Sequence, residues 1–249
     1  MNSPIPQFQP FNQLLIGKAP IYIFPLPHGP RVIVACDGDS VVMFKDNGSA
    51  RRTEITGFVP HIEEKFAELY SAMLSEPNPA YTLNGKQVKF PTLVFDVILT
   101  DAAEDMCNDG SDADVQKHFA DFDELGAPAP KDSITALVLC VMLDDEFSSG
   151  KTTHDIWWQR AWLTRGLRSI NMGNPHMHPR PAIKPLTQSP RNWRYEYSGI
   201  ASDLPDVCWG MIYNCFERRF AGALIVDVWQ PWKARGDAYR ILREEDVEL

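Results

Sequence analysis

The stretch from Arg31 to Phe58, RVIVACDGDSVVMFKDNGSARRTEITGF, limits the fold more than any other part of this chain. An apolar run is followed by an Asp-Gly step, a second run (VVMF), a Lys45-Asp46-Asn47-Gly48 turn and a returning polar strand. Asn-Gly and Asp-Gly steps between apolar runs are the signature of antiparallel hairpins. The chain must therefore contain a sheet.

The 249 residues, 44% of them hydrophobic, suffice for one large or two small domains with a true core. Five cysteines (Cys36, Cys107, Cys140, Cys208, Cys215) form no C-x-x-C pair and are odd in number. That argues against a disulfide framework and a zinc site, and predicts a reducing, cytoplasmic setting. No segment approaches the eighteen or so apolar residues of a membrane span. The N-terminus, with Pro4, Pro6 and Pro10, lacks the basic-then-apolar order of a signal peptide.

The formal charge of −9 is concentrated in one place. Asp101 to Glu124 carries nine acids (Asp101, Glu104, Asp105, Asp109, Asp112, Asp114, Asp121, Asp123, Glu124) against Lys117, leaving 24 acids and 23 bases elsewhere. With Gly110, Ser111 and the Ala-Pro repeat at 127–130, this reads as an acidic insertion over 101–130 between the strands TLVFDVIL and SITALVLCVML. A solvated loop is the plain reading. A partner-binding element using Asp105, Asp109, Asp112 and Asp114 is the sharper one.

The remaining pattern is mixed α/β. Ile62, Phe66, Leu69, Tyr70 and Met73 fall at helical spacing and predict a helix over Pro60 to Leu74. Leu93 to Leu99 and Ile134 to Leu143 are near-continuous apolar runs, expected as buried strands. A second helix is expected over Thr152 to Ile170 and a third over Val207 to Phe220, followed by strands over Gly222 to Trp229 and Ala238 to Leu242. Asn174 to Pro190 reads as irregular, and residues 1–30 as a Pro-rich lead preceding a single unit over 31–249.

This succession resembles the adenylation (nucleotidyltransferase) domain of small phage-type ATP-dependent DNA ligases, relatives of the mRNA-capping enzymes. Those proteins carry K-x-D-G-x-R at the end of a hairpin strand, which Ala35-Cys36-Asp37-Gly38-Asp39-Ser40 resembles with both Lys and Arg replaced. Their Arg-bearing strand is matched by Arg51-Arg52-Thr53. Their D-G-E strand is matched in place by Phe95-Asp96-Val97-Ile98, which keeps the Asp. The E-G-[LIV]-[IV]-V-K segment resembles Arg218 to Asp227, with Asp227 in place of Lys, and the closing W-x-K-x-K strand resembles Tyr239 to Arg243. The resemblance covers Val32 to Arg243. It implies ATP-grasp-like antiparallel sheets with packed helices; active ligases add an oligonucleotide-binding domain, which is not expected here because the sequence ends just after the last motif.

In that family a Lys attacks the α-phosphate of ATP, with carboxylates for a metal ion and further lysines on the phosphates. Ala35 offers no nucleophile, Asp227 opposes phosphate and Ile98 cannot hold Mg²⁺. Adjacent strand residues face opposite sides, so Cys36 is expected in the core if Ala35 faces the pocket. Lys45, ten residues along an extended hairpin, is expected on the order of 33 Å from Ala35. The degenerate nucleotide pocket would comprise Ala35, Asp37, Gly38, Arg52, Asp96, Asp227 and Lys233, with no resident cofactor and ATP/Mg only as a weak noncovalent ligand.

Other constellations fall short. His176 and His178 lack a third ligand, and Asp105 to Gln116 resembles a calcium loop with Cys107 and Gln116 at ligand positions. No metal is expected. Trp157, Trp158, Trp162, Trp209, Trp229 and Trp232 read as core or interface, although Trp229 and Trp232 could block the degraded pocket. With no basic stripe, direct duplex binding is not expected.

These readings favour a catalytically inactive ligase-like protein, phage-encoded, that inhibits or redirects a host protein with a basic surface through its acidic segment. Two alternatives stand beside it. One is a ligase or nucleotidyltransferase with an unrecognised nucleophile; the other is a noncovalent nucleotide sensor using Asp37, Arg52, Asp96 and Lys233.

Overall fold

The computed structural model describes residues 9–10, 16–46, 52–75, 82–83, 86–87, 91–101, 134–149, 156–171, 183–185, 195–199, 206–218, 220–227 and 239–246. The strands are β1 (Gln9–Pro10), β2 (Ile16–Leu26), β3 (Arg31–Cys36), β4 (Val41–Asp46), β5 (Arg52–Glu54), β6 (Thr82–Leu83), β7 (Lys86–Gln87), β8 (Leu93–Asp101), β9 (Ile134–Leu143), β10 (Ile183–Pro185), β11 (Tyr195–Gly199), β12 (Gly222–Asp227) and β13 (Tyr239–Leu242). The helices are α1 (Pro60–Ser75), α2 (Asp144–Ser149), α3 (Ile156–Asn171) and α4 (Asp206–Glu217). None of the described helices is long and apolar enough to cross a membrane.

The predicted hairpin is present and forms a meander. β3 pairs antiparallel with β4 and β4 with β5, and β3 also pairs antiparallel with β8. The larger sheet runs β10-β9-β8-β3-β4-β5 and the smaller one β1-β13-β12-β2-β11. Strand alternation sorts the apolar residues into layers. Val32, Val34 and Cys36 of β3 face α1 and α3, where they join Phe66, Leu69, Met73, Trp162, Leu163 and Leu167. Ile33 faces the other way, with Val94, Ile98 and Leu137 of its own sheet against Phe24, Leu224 and Ile241 of the smaller sheet. The smaller sheet's outer face, with Ile23, Ala223 and Ile225, is covered by Cys208, Ile212, Cys215 and Phe216 of α4. The order is helices, sheet, sheet, helix.

α1 forms where its period predicts. Pro60 opens it at a position where a missing N–H costs nothing, and Glu63 reaches back to accept from the Gly57 N–H at 2.7 Å. It packs closely on α3, because Gly166 leaves room where a Cβ would stand 2.4 Å from Met73 Cγ. The Trp162 indole donates to the Met73 carbonyl at 3.4 Å, and the Phe66 ring meets Phe95 with centroids 5.0 Å apart.

Several elements depart from the sequence reading. The stretch read as a Pro-rich lead contains β2, which lies between β12 and β11 despite Pro20 and Pro25. Successive residues of a strand direct their N–H groups to opposite neighbours. Two prolines five residues apart therefore each remove a donor from a different ladder. β10, a strand parallel to β9, occupies part of the stretch read as irregular. α2 follows β9 directly, its buried Glu146 accepting from the Leu143 N–H at 3.1 Å. The expected start of α3 at 152–155 lies outside the described residues, as does most of the acidic insertion.

A candidate functional site on the face between the sheets

β3, β8 and β9 position the site, on the face turned toward the smaller sheet. Ala35 lies opposite Val42 on one side and Val94 on the other, and is buried. Val94 belongs to the cluster between the sheets, so Ala35 shares that face. Cys36 points into the helix-side core, as alternation requires. Burial, with a lesser contribution from Asp37, pushes its thiol up to about 12. It is an inert core residue.

Lys45 corrects the expected distance. β4 folds back on β3 and sets Lys45 opposite Val32, about 11 Å from Ala35 by strand rise and spacing rather than 33 Å. It still faces away from Ala35, because Val32 belongs to the helix-side layer. Facing, not distance, separates the two.

The Asp37-Gly38 remnant is occupied by the turn it makes. The Asp37 carboxylate accepts from the Asp39 N–H at 3.1 Å, the Ser40 N–H at 2.9 Å and the Ser40 hydroxyl at 3.1 Å. These bonds, the Ser40 amide first, hold its pKa below the ordinary carboxylate value. Gly38 takes φ +97°, the left-handed conformation that the turn requires, beside the Tyr70 ring. A hairpin turn accounts for both residues without a ligand.

Asp96 stands opposite Ile33, diagonal to Ala35 at about 7–8 Å between Cα atoms. It is fully buried and held by Arg31, a residue the sequence reading passed over. Arg31 Nε donates to Oδ1 at 2.8 Å and the Arg31 terminal nitrogen donates to Oδ2. Arg31 lies opposite Ile98, on the other diagonal, and its side chain is 12% exposed. Beside the pair β9 carries a bulge: Asp96 pairs with Cys140 and Val97 with Val138, so Leu139 is the extra residue. Leu139 and Cys140 consequently both turn into the space between the sheets. Arg160 of α3 also reaches this side, its guanidinium 4.7 Å from the centre of the Phe24 ring.

The remaining predicted residues are spread out. Arg52 lies on the edge strand β5 opposite Asp46, about 16 Å from Ala35 by strand spacing. Asp227 ends β12 opposite Ile21 of the smaller sheet. Lys233, Trp229, Trp232, Asp105, Asp109, Asp112, Asp114, His176 and His178 lie outside the described residues. Among the described residues no group of three His, Cys, Asp or Glu could hold a metal ion. A metal does not fit at Asp96, whose two oxygens both accept from Arg31 and which is fully buried.

Two packed sheets with helices on both outer faces define a mixed α/β nucleotidyltransferase-type fold. Solved structures narrow it to the fold of ATP-dependent DNA ligase adenylation domains. Pmar-Lig_Pre matches at 14% identity with a TM-score of 0.55, covering 97% of this chain and 46% of that one. The ligase domain of M. tuberculosis LigD matches at 11% identity and TM-score 0.52, covering 96% and 60%. The ATP-dependent DNA ligase of bacteriophage T7, in complex with ATP, matches at 11% identity and TM-score 0.51, covering 92% and 63%. The chain spans about half to just under two thirds of the length of these structures. No protein-family model matches the sequence, and no curated protein matches it.

Proposed function

We propose that this protein is a ligase-fold chain without nucleotidyl transfer, and that it acts by binding a protein. One observation carries the reading: the face between the sheets presents Ala35 where the resemblance calls for the lysine nucleophile, diagonal to a carboxylate already taken by Arg31. Covalent transfer needs a nucleophile, and a neutral buried ion pair supplies none. The phage-type likeness favours a phage source and action in the host cytoplasm. The partner is a host protein with a basic surface, engaged by the acidic segment through Asp105, Asp109, Asp112 and Asp114; nine acids over Asp101 to Glu124 attract such a surface at long range.

The sheet suggests how to test it. Asp101 pairs directly with Ile134, so the two described residues that flank 102–133 lie side by side. Replacing residues 102–133 by an Asn-Gly turn closes the β8–β9 hairpin. Affinity capture from host lysate with the intact and shortened chains, at equal thermal stability, should recover a basic partner with the intact chain alone. Its retention should weaken between about 50 and 500 mM salt, over which the Debye length falls from roughly 14 to 4 Å. Equal recovery by both chains overturns the acidic segment's role. Ala35→Lys alone should not restore nick sealing, because parts that act as a unit are not restored singly; sealing by this variant would show that the rest of the pocket is far less degraded than proposed.

A further inference from the structure

We infer that the outward stripe of α4 is a docking surface for an arginine-bearing segment of a partner protein. Asp206, Gly210, Tyr213 and Glu217 follow one another at spacings of four, three and four, which sets them on one face of the helix. That face is turned away from the smaller sheet, because Cys208, Ile212, Cys215 and Phe216 occupy the opposite one. The surface goes beyond the reading above: Asp101 and Ile134, which flank the acidic segment, belong to the larger sheet, whereas α4 covers the smaller one.

Tyr213 is 40% exposed, the one exposed large hydrophobic residue among those described. Its ring is held by two others, 5.8 Å from Trp209 and edge-on to the buried Phe216 at 6.3 Å. A ring fixed in this way loses little freedom on binding. Beside it Gly210 opens a notch, since a Cβ there would meet nothing within 4 Å. Glycine inside a helix lowers stability relative to alanine, and no described neighbour uses the space it leaves. Asp206 and Glu217 are both exposed, and among the described residues neither makes an ion pair. Glu217 also stands in the last turn, where the helix dipole disfavours an anion and no base shares the turn. Arg218 follows the helix end but lies near Cys215, whose thiol its charge draws down against the rise that burial causes. The stripe itself is aromatic and anionic.

A guanidinium answers each of these features. It stacks flat on a ring, takes a carboxylate through its fork, and brings an alkyl stem that fits against bare helix backbone. An ammonium supplies the charge without the stacking. A phosphate backbone would meet two carboxylates instead, which argues against a nucleic acid.

The test is fluorescence anisotropy of labelled hexa-arginine and hexa-lysine peptides with the full chain at about 150 mM salt, where a Debye length of about 8 Å screens distant charge. Hexa-arginine should bind the parent more tightly than hexa-lysine. Tyr213→Ala should weaken hexa-arginine about 5-fold and hexa-lysine by less than about 2-fold. Gly210→Gln, which fills the notch, should weaken hexa-arginine to a similar degree while raising Tm, a combination that damage to the fold cannot produce. Asp105→Asn/Asp109→Asn/Asp112→Asn/Asp114→Asn should leave both α4 effects in place, so this inference and the acidic segment's role fail separately. Failure of the parent to bind hexa-arginine at millimolar concentration, or equal affinity of the parent, Tyr213→Ala and Gly210→Gln for it, overturns the inference. So does binding of oligothymidylate that Tyr213→Ala abolishes, which would make the stripe a nucleic-acid platform, or self-association that Gly210→Gln abolishes, which would make a second copy its occupant.

Discussion

Replacing Gly29 by alanine should destabilise the protein far more than its place in a short connection suggests. Gly29 lies between Pro27 and Pro30 in the link that carries the chain from β2 in one sheet to β3 in the other, with φ +149°. A Cβ there would stand 1.9 Å from the carbonyl oxygen of Leu99 and 3.0 Å from its carbon. Neither neighbour can yield cheaply. The Leu99 oxygen is backbone of the central strand β8, and the Leu99 N–H donates to the Pro30 carbonyl at 3.0 Å. Forcing a non-glycine residue into this backbone region costs about 1–3 kcal/mol. Losing the Pro30–Leu99 bond with its groups buried adds about 1–3 kcal/mol. At about 2–4 °C per kcal/mol for a chain of this size, Tm should fall by about 10 °C. Gly210→Ala is the control. It lies in α4 with nothing within 4 Å of a new Cβ, and alanine there should stabilise by about 0.5–1 kcal/mol. Thermal and urea unfolding followed by circular dichroism measures both. A fall of less than about 2 °C for Gly29→Ala would show that the link between the sheets is not the tight joint described.

Arg31→Ala and Asp96→Ala should each cost about 3–5 kcal/mol, while Arg31→Met/Asp96→Leu should be less destabilised than either single change. Additive losses in urea unfolding would show that the two residues are not coupled. Cys36 and Cys215, whose thiols burial pushes up to about 12, should resist iodoacetamide at pH 8 in the folded protein and react on unfolding, as read by peptide mass mapping. Because their folded pKa is raised, their contribution to stability is present below the ordinary thiol value of about 8.5 and is lost as pH rises toward 12. Fast native labelling at Cys36 would refute its burial. The Asp37 pKa is lowered, so its turn contributes above about pH 4 and the contribution is lost as pH falls. Asp37→Ala should flatten that part of the acid unfolding curve, and an unchanged curve would count against the turn.

Most elements could be read from the sequence because their apolar residues repeat with a period. The β3–β4 hairpin, α1, β8, β9 and α3 are long enough for alternation or helical spacing to stand out. β2 could not be read, because Pro20 and Pro25 argue against a central strand until the two ladders are counted separately. α2 has six residues, too few for a helical period to declare itself. At the site, the sequence identified Ala35 and Asp96 but not Arg31. Arg31 matters only because the β3–β8 register sets it diagonal to Asp96, and register between strands more than sixty residues apart leaves no local trace. The same cause explains Lys45: its separation from Ala35 is set across the β3–β4 ladder and not along the chain.

The most direct test of the central claim is the intact mass of the protein after incubation with ATP or GTP and Mg²⁺ or Mn²⁺. The absence of a lysine at position 35 predicts a single species at the mass of the unmodified chain under every combination. A species heavier by one nucleotidyl group would contradict it, and peptide mapping of that adduct would locate the nucleophile.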